Sequence, residues 1–285
     1  MEIIKAKDIG FCFGVRRAIK RAENAIAHLP ANDLYMLGEI IHNPQVIREF
    51  KIKGINIIKE ISQVPSNKYL ITRAHGIVKR EEDYAKRNNI RLIDTICPYV
   101  KKLHQIANFL QREGYQIIIL GDINHPEIRS LLSYIDHRAY IIQSINDIKC
   151  QSFEFSKKIG LLSQTTKDLK ELYKIIKIMF NYTDELRVFN TICKATRLRQ
   201  QATRDLAKIV DLMIVIGGLN SANTQRLVHL SKAVGVETYH IEDEKQLNIN
   251  YFRNKRKIGI TSGTSTPDYV TEKIVKKIRE LNHNY

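Results

Sequence analysis

The sequence predicts an α/β fold made of three similar α/β domains with mainly parallel sheets, arranged as a pseudo-threefold trefoil. Two observations predict this fold. Apolar, strand-like runs alternate with helical patterns along the 285 residues, which is typical of parallel sheets with crossover helices. In addition, short phrases recur along the chain at similar intervals, so that the chain consists of three units of one build.

The recurring phrases also predict the domain boundaries. We expect domains at residues 13–97, 98–191 and 192–285, with residues 1–12 packing on the third domain. One set of phrases begins with an apolar run that ends in Gly and a polar loop: “LGEIIHNPQVI” (37–47), “LGDINHPEIRS” (120–130) and “IGGLNSANTQRL” (216–227). A second set is a β-rich run that ends in small polar residues: “YLITRAHG” (69–76), “IGLLSQTT” (159–166) and “IGITSGTS” (258–265).

Three of the four cysteines occupy the same place in the repeat. Cys97 follows “DTI”, Cys193 follows “NTI” and Cys12 follows “IGF”, each between a strand-like run and a helical pattern. Functional groups gather at the carboxyl ends of parallel strands, so we expect these thiols to meet in one cavity. A helix N-terminus favours the thiolate, the form that binds metals. Cys150 belongs to no repeated phrase and is interpreted as an incidental thiol.

Composition limits the classes of function. The chain is 44% hydrophobic and 27% charged, as in soluble globular proteins, and no apolar run approaches the roughly 18 residues that cross a membrane. The start of the chain has no signal-peptide pattern, so we expect a cytoplasmic protein. The net charge of +16 fits a solvated basic surface, an anionic ligand or acidic partner, or nucleic acid. No nucleic-acid-binding motif supports the last alternative.

The three cysteines could hold a zinc ion or an iron–sulfur cluster. The chain has no Cys-x-x-Cys pair, which is typical of structural zinc sites. Three separated thiolates suit a cubane cluster in which one iron has no protein ligand. Such an iron is a Lewis acid as well as an electron donor, and it can bind a substrate oxygen.

Other residues of the recurring loops predict an anion-binding pocket. Three histidines fall in corresponding loops, and neutral donors with nearby glycines follow other strands. Loops that lead into helix starts are natural phosphate sites. The candidates are His42, His75, His125, Ser221, Asn223 and Ser265. The loops match neither a Walker A motif nor a GxGxxG fingerprint, so ATP and NAD are poor candidates.

Two residues are candidates for proton transfer. Glu127 follows His125 by two positions and is the carboxyl group of this set best placed to donate a proton. Thr165 and Thr166 in “SQTT” could cap a helix or hold a substrate hydroxyl. We predict that Thr165 serves the substrate and that a cap accounts for the other.

Taken together, these motifs resemble the 4-hydroxy-3-methylbut-2-enyl diphosphate reductase family, also called LytB/IspH. The matching motifs run in order from residue 10 to residue 268: “GFCFGVRRAI”, “GEIIHNPQV”, “RAHG”, “DTICPYV”, “NHPEI”, “SQTT”, “TICKATRLRQ”, “GGLNSANTQRL” and “TSGTSTPD”. Each motif alone is weak, whereas nine in register are specific.

The resemblance implies a [4Fe-4S] cluster on Cys12, Cys97 and Cys193, enclosed by the trefoil of domains. It implies that Glu127 is the acid, that Thr165 holds the substrate hydroxyl, and that the histidines, Ser221, Asn223 and Ser265 bind the substrate. The implied reaction is a two-electron, two-proton reductive dehydroxylation of an allylic diphosphate to isopentenyl and dimethylallyl diphosphate. A ferredoxin or flavodoxin would donate the electrons, with no part for nucleic acid or a membrane.

Two departures from the family pattern stand out. Ala222 occupies a position where many members have a second Ser, so that only its backbone N–H can serve the diphosphate. Arg129-Ser130 follows “HPEI” where Gly is usual at the second position. Two rival hypotheses remain at this point: a zinc-dependent hydrolase of an anionic substrate that uses the Cys and His residues, and a nucleic-acid-binding module, which leaves the repeated cysteines unexplained.

Overall fold

The computed structural model describes residues 1–150 and 154–283, and the side chain of Cys150 lies outside the described part. The chain divides into two compact units. The first unit comprises Met1–Arg16, Ile41–Glu49 and Lys194–Tyr285, and the second comprises Arg17–Ile40 and Phe50–Cys193. No helix of the described residues is both long enough and apolar enough to span a bilayer.

The described residues contain three four-stranded sheets in which every pairing is parallel. The strands are β1 (Glu2–Lys5), β2 (Leu34–Leu37), β3 (Asn56–Ile58), β4 (Tyr69–Ile71), β5 (Arg91–Ile93), β6 (Gln116–Leu120), β7 (Ala139–Ile142), β8 (Lys158–Ser163), β9 (Glu185–Val188), β10 (Leu212–Ile216), β11 (Glu237–Ile241) and β12 (Lys257–Ser262). The predicted α/β class with parallel sheets is therefore confirmed.

The three sheets share one strand order. The second unit holds the sheets β3-β2-β4-β5 and β7-β6-β8-β9, and the first unit holds β11-β10-β12-β1. In the last sheet, β1 supplies the fourth strand, and Ile3 pairs with Ile258. The start of the chain thus completes the third copy of the repeat. The exact domain boundaries stay a prediction.

Helices connect the strands, as the alternation of patterns predicts. They are α1 (Phe13–His28), α2 (Pro44–Ile52), α3 (Lys79–Arg87), α4 (Pro98–Arg112), α5 (Pro126–Tyr134), α6 (Ile145–Cys150), α7 (Leu169–Met179), α8 (Lys194–Ala207), α9 (Ala222–Ala233) and α10 (Asp268–His283). Pro at the first position of α4 and α5 suits a helix start, because the amide that Pro lacks has no intrahelical partner there.

The cores form where these helices cover the sheets. β6 (“QIIIL”) is buried except at its first residue, and all five residues of β10 (“LMIVI”) are buried. Such continuous apolar strands are typical of parallel sheets that are covered on both faces. In the second unit, β6 packs with α4 and α5 in one cluster and contributes to a second cluster with α7. In the first unit, β10 and β12 pack with α10.

Backbone hydrogen bonds repeat at the strand ends. The glycine after the first strand of each copy donates its N–H to the last residue of the neighbouring edge strand: Gly38 to Ile58, Gly121 to Ile142 and Gly217 to Ile241, at 2.7, 2.8 and 2.9 Å. Because of these bonds, the loop that follows the first strand begins at an equivalent position in each copy. The sequence repeat is therefore also a repeat of local geometry.

The Thr of the repeated Thr-Ile-Cys phrase fastens the cysteine loop to the adjacent strand. The Thr191 hydroxyl donates to the carbonyl of Ser163 at 2.5 Å and accepts from the N–H of Ser163 at 2.8 Å. The Thr95 hydroxyl likewise donates to the carbonyl of Thr72, whereas the second bond runs from the N–H of Thr95 to the hydroxyl of Thr72. Ile192, the next residue, is buried in the core. We call this Thr the pin, because it holds the cysteine loop to the adjacent strand. Together with the Ile that follows it, the pin fixes the position of the cysteine in front of its helix.

We predict that Thr191→Val destabilises the fold by about 1–3 kcal/mol, because a buried N–H and a buried C=O of Ser163 lose their partner while the side-chain volume is kept. Urea unfolding measures the change. Thr238→Val is the control, since that half-buried hydroxyl bonds only to the nearby carbonyl of Val236, and it should cost less than about 0.5 kcal/mol. Equal effects of the two substitutions would contradict the role of the pin.

Candidate functional site

The residues singled out from the sequence lie in loops and helix starts beyond the carboxyl ends of the strands, in two groups. The second unit contains His75, Cys97, His125, Glu127, Thr165 and Cys193. The first unit contains Cys12, His42, Ser221, Ala222, Asn223 and Ser265. Each group is described within its own unit.

Glu127 and Thr165 form a buried pair. Glu127 is 2% exposed; its Oε1 accepts from the Thr165 N–H at 2.7 Å, and its Oε2 lies 2.6 Å from the Thr165 hydroxyl. Burial raises the pKa of Glu127, and the two hydrogen bonds from Thr165 oppose that rise only in part. When the carboxyl is protonated, the hydrogen bond reverses and the acid donates to the Thr165 hydroxyl. The pair can therefore store a proton and pass it on through the hydroxyl.

His125 is held in one tautomer by the start of α5. It is the N-cap of that helix, and its Nδ1 accepts from the N–H of Glu127 at 3.2 Å. Because a backbone N–H always donates, the ring proton of neutral His125 is on Nε2, which can then donate to a ligand. The ring of His75 meets the ring of His125 edge to face, with centroids 5.7 Å apart. The structure thus brings together two of the three predicted histidines.

Cys97 and Cys193 are tied to the same group by their backbones. The N–H of Cys97 donates to the carbonyl of Ala74, next to His75, at 3.0 Å. The N–H of Cys193 donates to the carbonyl of Thr165, also at 3.0 Å. Both thiols are half-buried, and within the described residues neither is in a disulfide. The metal-ligand candidates of this unit therefore border its acid–base candidates.

Asn223 carries an unsatisfied buried amide in the first unit. It is 3% exposed, and among the described residues neither its Nδ2 nor its Oδ1 has a hydrogen-bond partner. Asn223 is the second residue of α9, and Ser221 caps this helix by accepting from the N–H of Thr224 at 3.3 Å. The capping oxygen of Ser221 still carries its own proton to donate. Unpaired buried amide atoms at a helix N-terminus indicate a site for an anionic ligand.

The loop before α9 approaches the helix closely because it contains glycine. Gly217 has φ +148°, and a Cβ there would lie 2.7 Å from the hydroxyl oxygen of Thr224. Only glycine fits this position without strain. The loop backbone and the side chains at the start of α9 thereby come together.

His42, Ser265 and Cys12 complete the group of the first unit. The Ser265 hydroxyl donates to the carbonyl of His42 at 3.2 Å. A Cβ on Gly218 would lie 2.8 Å from that same carbonyl. The N–H of Cys12 donates to the carbonyl of Thr264 at 3.1 Å. Loops from three parts of the sequence therefore meet beside the N-terminus of α9.

The structure accommodates both departures from the family pattern. Ala222 is the first residue of α9, where a backbone N–H has no partner within the helix and can serve an anion. Ser130 lies within α5, is 1% exposed and donates to the carbonyl of Ile77 at 2.7 Å. Its hydroxyl oxygen occupies the place that a Cβ on Gly76 would fill, 2.5 Å away. Helix α5 thus continues without interruption past Glu127.

The proposed helix cap in “SQTT” was wrong. The N-cap of α7 is Asp168, whose carboxylate accepts from the N–H of Lys170 at 2.7 Å. Thr166 instead accepts from the side-chain amide of Gln164 at 3.0 Å. An acidic residue is the better cap because a negative charge also interacts favourably with the helix dipole.

Sequence reasoning missed the residues that hold the loops. Gln164 is 1% exposed, and its Oε1 accepts from the N–H of Asp122, which fastens the loop before His125. Asn43 caps α2 by accepting from the N–H of Gln45 and of Val46. The signal was present, because both residues stand within repeated phrases beside the residues that were chosen.

The three cysteines of the repeat fit an iron–sulfur cluster by their donor chemistry. All three are half-buried, none is in a disulfide among the described residues, and each immediately precedes a helix, a position that favours the thiolate. The Sγ of Cys12 accepts from the N–H of Val15 at 3.5 Å, a bond that supports a thiolate. Among the residues that the structure describes, no three His, Cys, Asp or Glu side chains are grouped to hold a single metal ion. No observation in the described part of the chain favours the zinc hydrolase alternative.

Comparison with known proteins agrees with the motifs. The model of the family described as LytB protein matches residues 3–279. A 4-hydroxy-3-methylbut-2-enyl diphosphate reductase of Helicobacter pylori (strain Shi470) is 42% identical over 282 residues, which cover 99% of this chain and 100% of the relative. The protein of the same name from Campylobacter hominis is 43% identical with the same coverage.

Solved structures give the same result. The structure of (E)-4-hydroxy-3-methyl-but-2-enyl diphosphate reductase, the terminal enzyme of the non-mevalonate pathway, matches with a TM-score of 0.71 at 36% identity, and covers 98% of this chain and 100% of that one. The structure of the E-1-hydroxy-2-methyl-but-2-enyl-4-diphosphate reductase from Plasmodium falciparum matches with a TM-score of 0.91 at 30% identity, over 96% of this chain and 87% of that one. The chain therefore belongs to the LytB protein family.

Proposed function

We propose that this chain is a 4-hydroxy-3-methylbut-2-enyl diphosphate reductase. It converts (E)-4-hydroxy-3-methylbut-2-enyl diphosphate into isopentenyl and dimethylallyl diphosphate, the last step of the methylerythritol phosphate route to isoprenoids. The substrate gains two electrons and two protons, and its hydroxyl group leaves as water. Relatives of this name match over the full chain, and the observation that carries the proposal is the buried Glu127–Thr165 pair.

Two kinds of donor would bind the diphosphate. Ser221, Asn223, Ser265 and the N–H of Ala222 stand at or beside the N-terminus of α9, where the helix dipole favours negative charge. His42, His75 and His125 would add imidazole donors. The unsatisfied amide of Asn223 supports this assignment, because an oxyanion ligand would give its Nδ2 the partner that it lacks.

Glu127 would supply the proton to the leaving oxygen. Burial raises its pKa and so favours the protonated carboxyl, the form that a general acid needs. Thr165 would hold the substrate hydroxyl and relay the proton, since its own hydroxyl bonds to Glu127. The second proton goes to either end of the allyl system and determines which product forms.

A [4Fe-4S] cluster on Cys12, Cys97 and Cys193 would be the cofactor, and when bound it supplies the two electrons. The fit rests on the three thiols of the repeat, each at the start of a helix. The backbone bonds of the cysteines to neighbouring loops would fix the directions of their thiolates.

The electron donor would be a ferredoxin or a flavodoxin, which are acidic proteins. A cationic surface borders Cys97: Arg17, Arg21 and Lys101 surround the single carboxylate of Asp94. Arg17 also donates to the carbonyl that precedes Cys97. An excess of positive charge steers an acidic partner to this point. Such donors work in the cytoplasm, and we propose the same location for this chain.

We predict that Cys193→Ser loses most of the cluster after anaerobic purification, because a hydroxyl is a poor ligand for iron. Iron and sulfide analysis and the visible spectrum measure the loss. Cys150→Ser is the matched control and should retain full iron content. Full iron and turnover in Cys193→Ser would remove Cys193 from the ligand set.

We predict that Glu127→Gln lowers kcat by about 10²–10⁴-fold, the range for removal of a general acid, with the cluster and substrate binding retained. The raised pKa of Glu127 means that stability falls as pH rises through the folded-state pKa. The amide cannot ionise, so the variant should melt higher than the parent at pH 7, with the difference vanishing in acid. Normal turnover would exclude Glu127 as the proton donor.

We predict that Asn223→Ala raises the KM for the diphosphate substrate by about 10-fold or more, the effect of losing a hydrogen bond to a charged group. The free energy of unfolding should not fall, because the amide has no partner in the described structure. Asn43→Ala is the matched control: this side chain is equally buried at 3% exposure but caps α2, so the change should cost about 1 kcal/mol of stability. Loss of stability in both variants would indicate a structural role for Asn223.

A further inference from the structure

Arg199 is a buried cation that the proposed reaction leaves without a role. It lies on α8 within the motif “TICKATRLRQ” and is 4% exposed. Its Nη1 donates to the carbonyl of Ser262 at 2.8 Å, and its buried Nε has no partner among the described residues. Arg199 forms no ion pair with a carboxylate in the described part of the chain. A buried guanidinium without a counter-charge is costly, so its presence requires an anion nearby.

The loop of Cys12 is joined to the same strand end as Arg199. Ser262, the last residue of β12, accepts from Arg199 through its carbonyl and from the N–H of Gly10 through its hydroxyl, at 2.9 Å. Two residues further on, Thr264 accepts from the N–H of Cys12 at 3.1 Å. The guanidinium and the Cys12 loop are therefore held to one short segment of backbone within the first unit.

The charges around Arg199 identify the anion. Burial lowers the pKa of Arg199, and the negative charge of the Cys12 thiolate is the strongest influence in the opposite direction. Asp8 and Asp268 act in the same sense as Cys12 but more weakly, while Arg16 repels the guanidinium. Cys12 is thus one of the anionic groups that act on Arg199, together with Asp8 and Asp268.

We propose that Arg199 is a fixed cation that stabilises the reduced form of the cluster bound through Cys12 and so raises its reduction potential. The inference rests on the proposed function, because it needs Cys12 as a ligand. Each electron that enters the cluster adds one negative charge, and a buried positive charge lowers the energy of the more negative state. Arg199 acts through the ligand and does not touch the substrate.

The test is a redox titration of the reconstituted full-length protein under anaerobic conditions. The reduced cluster is followed by electron paramagnetic resonance against a set potential, without substrate. Arg199→Gln should shift the midpoint to a more negative potential. Arg199→Lys should shift the midpoint in the same direction but by less, because Lys keeps the positive charge and places it at a different distance from the cluster. Arg197→Gln, which removes an exposed charge from the same helix, should leave the midpoint unchanged.

The outcomes separate this inference from the proposed function. Wild-type protein that holds no iron and sulfide after reconstitution contradicts the proposed function itself. A loaded wild type with the same midpoint as loaded Arg199→Gln overturns only the role of Arg199. A purely structural role would lower the melting temperature and leave the midpoint where it was. If Arg199→Gln does not fold, Arg199→Met, which also removes the charge, decides, and an unchanged midpoint in that variant overturns the inference.

Discussion

The hydrogen bond from each cysteine N–H to a loop carbonyl beyond a neighbouring strand is the constraint on which the site depends. Cys12, Cys97 and Cys193 make this bond at 3.1, 3.0 and 3.0 Å. It joins the start of a helix to the end of a strand, so the thiol direction follows from the sheet itself. Because the bond uses only backbone atoms, the repeat can preserve it while the loop side chains change. One copy can then carry His75 where others carry Thr166 or Ser265 beside the bonded carbonyl.

The polar groups of the site are held at a cost to stability. Glu127 is buried with no charged neighbour among the main influences on its pKa, and Asn223 is buried with both amide atoms unpaired. Groups that serve only the fold are treated differently: the equally buried Asn43 has its bonds made, and so has Thr191. The unpaired amide of Asn223 thus lies where a ligand is expected, as is common at functional sites.

The sequence predicted the fold class and the family, but it did not predict most of the residues whose hydrogen bonds hold the loops of the site. Continuous apolar runs such as β10 predict buried parallel strands because their pattern is local, and recurring phrases predict equivalent loops. Ser130 and the pins Thr95 and Thr191 could not be assigned, because their roles depend on partners 53, 23 and 28 residues away. Periodicity carries no information about such contacts. The cap assigned within “SQTT” failed because α7 starts later, at Asp168.

Glu127 and Arg199 are buried charged residues that use low-polarity surroundings in opposite ways. Desolvation disfavours the charged form of any group, and around Glu127 the hydrogen bonds from Thr165 oppose it only in part, so the protonated carboxyl is favoured. Around Arg199 desolvation lowers the pKa, and the charges of Cys12, Asp8 and Asp268 oppose this effect, while the guanidinium stays charged. A reductive dehydroxylation needs both results, since protons must be held ready as neutral acids while incoming negative charge is balanced by a fixed positive one. Burial favours the neutral acid directly. It also strengthens the interaction between the fixed positive charge and the incoming negative charge, because nearby buried charges are poorly screened.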